Sequence, residues 1–257
     1  MKLRKDLPVH KIKMGHLLVS HLSYSEILSQ IDESIHESIQ ITIGCVNVYY
    51  FIESRKNRAI AALYNSFEIL HPDGVGVRSA LRFLYSKETI KEKMTGTDLY
   101  YKILYQADRY RWSLFLFGDT QEVIQEAKKE IENEYPNITI CGAINGYDKI
   151  ENDDIVRQIN DTKPDILFIG LGLPRQEYWI GQHRSEVHVP VCVSVGGGIA
   201  FISKLRKRAP ALLRKAQIEW LYRLFQDPFR LWKRYILGIP YFIYLMIIQK
   251  LKISREI

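Results

Sequence analysis

The sequence predicts an α/β chain: a Rossmann-like, mostly parallel sheet flanked by helices, followed by a basic helical appendage. Two observations carry the core. Short apolar runs alternate with 10 to 15 residue segments of helical character, and several runs lead into turn signals such as "HPDG", "GLGLP" and "VGGG". A third carries the appendage: after about Lys204 the alternation stops and a basic, aromatic stretch begins. The expected division is a core over 1–203 and a membrane-associating appendage over 204–257.

The elements follow in order. Leu22, Ile27, Leu28, Ile31, Ile35 and Ile39 recur at helical spacing, so Leu22 to Ile39 reads as a helix. Ile41 to Val48 is rich in β-formers. Arg55 to Phe67 reads as one helix, and Val75 to Leu84, after "HPDG", as another. Leu99 to Tyr110 is helical and Trp112 to Phe117 (WSLFLF) a buried strand. Thr120 to Glu134 is a charged amphipathic helix ended by Pro136. Ile138 to Cys141, Ile166 to Ile169 and Val189 to Val195 read as strands, with helices over Asp153 to Asn160 and Arg175 to His183. No internal repeat or low-complexity segment interrupts them.

Composition narrows the class. Ordinary apolar content and charge exclude a disordered chain. Cys45, Cys141 and Cys192 lie far apart in strand-like runs, without a C-x-x-C pair. They read as core thiols in a reducing compartment, not a zinc site or disulfide framework. The N-terminus is basic but lacks the long uncharged core of a signal peptide. No run reaches the ~20 apolar residues of a membrane span. The uncharged stretch in the appendage, Ile236 to Gln249, has 14 residues and contains Gly238 and Pro240, which suits an interfacial or buried segment. From Ser203 to Ile257 there are 13 Lys and Arg against 3 Asp and Glu, a net of +10 in a chain of +7, leaving −3 for residues 1–202. Basic residues mixed with Trp220, Trp232, Tyr235 and Tyr244 describe a surface for anionic lipid headgroups. Nucleic acid is the competing anion, but the uncharged Ile, Leu, Met and Phe run favours a membrane.

In a parallel sheet, ligands sit at the carboxyl ends of strands. The candidate residues therefore lie in the turns there: Asn47, Gly118-Asp119, Asn145-Gly146-Tyr147, Gly170 to Gln176 and Gly196 to Gly198. In "GLGLPRQEYWI", Gly172 permits close backbone approach and Pro174 suits a helix's first turn. Helix-start amides would face an anion, and Gln176 and Glu177 would offer hydrogen bonds to a sugar or base. A plain helix start explains the same residues. Trp179 and Ile180 read as core. A dinucleotide site fits less well, because the third glycine is missing and Glu186, the nearest acid downstream, precedes its strand. Asp73, in "HPDGVGV", is either a helix N-cap or a general base at a cleft edge. Thr97 and Asp98, in "MTGTDLY", are explained by capping or by a polar pocket. The three successive glycines that include Gly196 and Gly197 favour close ligand approach. The chain has no D-x-D and no H-E-x-x-H, so no metal site is expected. A leaving diphosphate would then rely on amides and on the tail's Arg and Lys.

The motifs "TGTDL", "PDGVGV", "GLGLPRQEYWI", "VGGGIAF" and "KRAP…IEWLYRLFQDPFRLWKRY", in this order, closely resemble the WecG/TagA/CpsF family of bacterial glycosyltransferases. The resemblance runs from about Ile41 to Tyr235. It implies an inverting, metal-independent and cofactor-free transferase of surface polysaccharide biosynthesis. The sugar, of N-acetylmannosamine type or a related hexose, would pass from UDP to an undecaprenyl-diphosphate-linked saccharide. The enzyme would be cytoplasmic and peripheral on the inner face of the cell membrane. Asp73 matches the family's proposed base. Arg208, Arg223, Arg230, Lys233 and Arg234 would contact diphosphate or lipid, and Lys233 stands where an arginine is common. Cys45 stands where a threonine is common, which bears on donor identity. A homo-oligomer is compatible with this reading, though no residue demands one. Two other readings compete: a dinucleotide-dependent oxidoreductase, and a non-catalytic membrane-associated protein of polysaccharide assembly.

Overall fold

The computed structural model describes residues 2–3, 10–85, 91–148 and 150–254, apart from the side chains of residues 2–3 and Arg230. A two-residue strand, β1 (Lys2–Leu3), is followed by an antiparallel hairpin of β2 (Lys11–Met14) and β3 (Leu17–Ser20). The hairpin turns on Gly15 at φ +60°. Sequence periodicity did not announce it, because four-residue strands are too short to establish a pattern.

The main sheet contains β4 (Ile39–Val46), β5 (Ile69–Pro72), β6 (Ser113–Gly118), β7 (Thr139–Ile144), β8 (Ile166–Gly170) and β9 (Val191–Ser194). Their spatial order is β5-β4-β9-β8-β6-β7, with every pairing parallel, and β1 pairs beside the start of β4. Alternate residues feed two cores. Ile41, Ile43, Leu114, Leu116, Ile166, Phe168, Val191 and Val193 face α1 (Tyr24–Glu37), α5 (Gly96–Tyr110), α6 (Gln121–Glu134) and α9 (Gly198–Ile202). Phe115, Phe117, Leu167, Ile169 and Cys192 face the opposite way. Their partners are α2 (Val48–Lys56), α3 (Arg58–Ser66), α4 (Gly74–Leu84), α7 (Asn152–Thr162) and α8 (Arg175–His183). Burial on both faces explains why the strands read as unbroken apolar runs.

Caps set the helix starts. Ser23 and Glu26 form a reciprocal capping box at α1, and Thr95 and Thr120 cap α5 and α6. The single helix expected over Arg55 to Phe67 is two. Asn57 closes α2 and accepts from the Ala59 and Ile60 amides to open α3. Strand β5 was also missed: it is four residues long, at the sheet edge, and ends in Pro72, which a ladder tolerates only there. Of the three expected core thiols, Cys45 and Cys192 are buried and Cys141 is half-buried.

From Ala211 on, the C-terminal stretch is a succession of helical segments: α10 (Ala211–Lys215), α11 (Glu219–Gln226), α12 (Pro228–Trp232), a π turn (Lys233–Leu237) and α13 (Gly238–Ile253). The π turn contains Ile236, whose carbonyl the Pro240 ring would otherwise strike. This corrects the expectation that no segment reaches span length. The continuous helix Lys233–Ile253 has 21 residues and is long and apolar enough, by length and composition, to cross a membrane. One side of α13 packs on the core. Phe242 and Phe51 pack edge to face with ring centroids 5.1 Å apart, Gln249 Oε1 accepts the Gly15 amide at 2.7 Å, and Lys250 donates to the Leu84 carbonyl at 2.7 Å. Its other side leaves Ile243, Tyr244, Ile247 and Leu251 exposed.

Candidate active site

Because all six strands of the main sheet run parallel, their carboxyl ends meet at one edge. Two cavities open there. The first, about 750 Å³, is polar and is lined by turns after β4, β5, β8 and β9. The second, about 970 Å³, runs between α4 and α13. Its apolar wall comprises Ala80, Phe83, Ile239, Phe242, Ile243, Met246 and Ile247, and Arg78, Lys93, Arg208, Arg214 and Lys215 bring cations to it. Asn47, Tyr49, Asp73, Thr97, Arg223, Arg234 and Tyr235 line both cavities, so the two meet at Asp73.

Asp73 stands at the N-cap position of α4 but makes no side-chain cap bond. Its Oδ1 accepts the Gly96 amide at 2.9 Å and its Oδ2 accepts Asn47 Nδ2 at 3.4 Å. Asn47 is itself held, with its Oδ1 capping α2 through the Tyr50 amide at 3.1 Å. Two strand-end turns and the α5 start therefore fix one carboxylate at the junction of the cavities. Cys45 lies beneath it, with Sγ 3.9 Å from the Tyr100 hydroxyl, and burial pushes its thiol well above the ordinary range.

Thr97 lines both cavities, and Asp98 lines the second, where its carboxyl meets the appendage. Asp98 Oδ1 accepts from Arg208 at 2.7 Å and its Oδ2 from the Thr95 hydroxyl at 2.7 Å. Burial alone would raise the Asp98 carboxyl, but these bonds outweigh it and hold the group below the usual range. Residues expected to meet substrate separately thus meet each other, joining the α5 start to the start of the appendage.

The glycine turns divide into lining and support. Gly172 (φ +74°), Gly196 (φ +53°) and Gly197 line the polar cavity. A Cβ on Gly196 would stand 2.9 Å from the Tyr50 hydroxyl. Gln176 and Glu177 correct the expectation of sugar or base contacts. Both are fully buried behind the turn, and their polar groups bond to Ser194, Tyr64 and the Gly196 amide. Pro174 does not line the cavity either: it is the N-cap residue of α8, after a cis peptide bond from Leu173. Asn145 is also a support. Its Oδ1 accepts the Tyr147 and Asp148 amides at 3.0 and 2.9 Å, and the Gly146 carbonyl accepts from Arg175. Together they present Tyr147 at the cavity mouth, 67% exposed, with the Arg175 guanidinium 5.3 Å over its ring. Trp179 and Ile180 are core, as expected.

The appendage supplies cations from above. Arg223 is braced by Glu219 and lies 4.9 Å over the Phe201 ring, and Arg234 lies 4.6 Å over Tyr49. Lys233 lies 5.6 Å over the Trp232 ring, exposed, and lines neither cavity. The side chain of Arg230 lies outside the described residues. Sequence reasoning missed Tyr49, Tyr50 and Arg206 of the polar cavity, and Arg78, Lys93, Arg214 and Lys215 of the other. The signal for the tyrosines was present, since they directly follow Asn47 at a strand's carboxyl end. Arg78 carried one as well, as one of two cations in the largely apolar helix GVGVRSALRFL.

A family model described as "Glycosyl transferase WecG/TagA/CpsF family" matches residues 12–256. Proteins of Staphylococcus aureus strains MW2 and NCTC 8325 are 34% identical over 201 residues, 77% of this chain and 76% of theirs. Both are named N-acetylglucosaminyldiphosphoundecaprenol N-acetyl-beta-D-mannosaminyltransferase. A relative from strain MRSA252 carries the same name at the same identity and coverage. Sheet topology, the junction at Asp73 and these matches agree: the chain is a glycosyltransferase belonging to the WecG/TagA/CpsF family.

Proposed function

We propose that the enzyme transfers an N-acetylmannosamine-type sugar from a UDP-sugar to a saccharide on a polyprenyl diphosphate, with inversion and without a metal. The meeting of a polar and an apolar cavity at Asp73 carries this reading. The polar cavity, with its glycine turns, suits a nucleotide sugar. The apolar groove with its cations suits a lipid diphosphate, the kind of acceptor in the relatives' name.

In the reaction, Asp73 accepts the proton of the acceptor hydroxyl while that oxygen attacks the anomeric carbon. The bond from that carbon to the UDP oxygen breaks on the opposite face, through an oxocarbenium-like transition state. The departing diphosphate charge is met by Arg223, Arg234 and the turn amides. Asn47 and the Gly96 amide hold the base in place throughout.

The exposed apolar side chains Leu212, Phe225 and Phe229, at 76%, 77% and 93%, lie among the appendage's basic residues. They would seat the enzyme peripherally on an anionic membrane, where a polyprenyl acceptor resides. The test is UDP release from a panel of UDP-sugars with a soluble lipid-diphosphate-sugar acceptor, with and without EDTA. Acceptor-dependent release, insensitive to EDTA, is expected. Release abolished by EDTA would overturn metal independence, and no release with any UDP-sugar would overturn the donor class.

A further inference from the structure

Glu177 is fully buried, and the reaction just described does not use it. Its Oε1 accepts from the Tyr64 hydroxyl at 3.0 Å and from Gln176 Nε2 at 2.7 Å, while Oε2 has no partner. The same Gln176 nitrogen donates to Ser194 Oγ at 2.8 Å, and Gln176 Oε1 accepts the Gly196 amide at 3.0 Å. Only one orientation of the Gln176 amide satisfies all of these bonds, and Glu177 is an acceptor that sets it. Gly196 lines the polar cavity, so the carboxyl stands one side chain behind that turn.

The groups facing it are Tyr64 on α3, Tyr50 on α2, Cys45 on β4 and Ser194 on β9. None is a cation. Burial pushes the Glu177 carboxyl up to about 7, against the hydrogen bonds from Gln176 and Tyr64. A carboxylate there is an uncompensated charge behind the turn, and a second anion in front of the turn would disfavour it further.

We propose that Glu177 is a positioning residue for the Gly196 turn, and that binding of a nucleoside diphosphate at this turn draws a proton from solvent onto its carboxyl. By linkage, ionising Glu177 weakens the nucleotide by the same factor that the nucleotide opposes ionisation. The inference rests on the reading that the polar cavity takes the donor.

Calorimetric titration with UDP-N-acetylmannosamine, whose diphosphate diester has no ionisation near neutrality, tests it. Buffers of different ionisation enthalpy at about pH 7.5 report net proton uptake. The wild-type enzyme takes up a fraction of a proton, and its donor affinity falls by up to about tenfold per pH unit above the carboxyl's midpoint. Glu177→Gln binds without uptake and with a flat pH profile. Tyr64→Phe removes a bond that favours the ionised form, so its midpoint moves to higher pH. Thermal melts establish that each variant is folded, and Tyr64→Phe decides the matter if Glu177→Gln is not. Uptake that persists in Glu177→Gln, an unmoved midpoint in Tyr64→Phe, or no uptake in the wild type overturns the proposal. If neither UDP-N-acetylmannosamine nor UDP binds the wild type, the donor reading itself fails, and this inference with it.

Discussion

Asp73 and Glu177 are two carboxyls placed close to one site by opposite means. Asp73 is half-buried, bonded by the Gly96 amide and Asn47, and open to both cavities. Asp73→Asn keeps the size and removes the basicity, so turnover falls by roughly 10² to 10⁴ with the fold unchanged. UDP release under saturating donor measures this, and wild-type turnover would sink the assignment. Glu177 is held where charge is unfavourable, which has a consequence for stability. Its folded pKa, about 7, lies above the ordinary 4.5. The native state therefore holds a proton that the unfolded chain gives up. Its favourable contribution is complete below the ordinary value and is lost as pH rises through about 7, on the order of 3 kcal/mol in all. Denaturant melts of the wild type should weaken over that window relative to Glu177→Gln. Parallel curves would show that the carboxyl ionises freely in the folded protein.

At the scale of elements, the turn after β9 is set by its backbone. Gly196 combines a left-handed φ of +53° with the Tyr50 hydroxyl 2.9 Å from any added Cβ, whereas Gly172 has a left-handed φ of +74° with open space around it. Gly196→Ala should raise the donor KM at least about tenfold, because it displaces amides that face the cavity. Gly172→Ala carries only the conformational penalty, roughly 1 to 2 kcal/mol, in a thermal melt. Equal donor KM values in the two variants would contradict this division. The legibility of these turns was uneven. Gly-rich strand ends are visible in a linear chain because φ > 0 demands glycine. Which neighbouring polar residues line the cavity and which buttress it depends on the direction of a helix face. Gln176 and Glu177 begin α8 with their side chains turned into the core, and no local pattern distinguishes that from an outward turn.

For the whole molecule, the appendage both completes the site and covers the core. Phe242 and Met246 of α13 are buried in the same core as Met14, Leu17 and Phe51, and each such side chain contributes roughly 1.5 to 3 kcal/mol by burial. Truncation after Leu205 removes them together with Arg223 and Arg234. Loss of membrane binding and activity should then come with a lower melting temperature. The separate test of anchoring is Phe225→Ser with Phe229→Ser, at two of the most exposed apolar side chains of the appendage. Sedimentation with anionic vesicles should drop several-fold at unchanged melting temperature, because apolar insertion adds to headgroup attraction. Undiminished pelleting would assign binding to charge alone.

The sequence by itself determined the alternation of strands and helices, the parallel sheet, the glycine turns at strand ends and the cationic tail. Each of these is a local consequence of periodicity, backbone freedom or charge. Tertiary structure alone decided that the turns of β4 and β5 converge on Asp73, that Asp98 binds Arg208, and that Glu177 faces inward. It also decided that α13 continues through Pro240 to lie along α2 and α4, building the groove beside Asp73. These are contacts between residues distant in the chain. They arise from the packing of helix faces against a common sheet, and the spacing of residues along one segment carries no record of them.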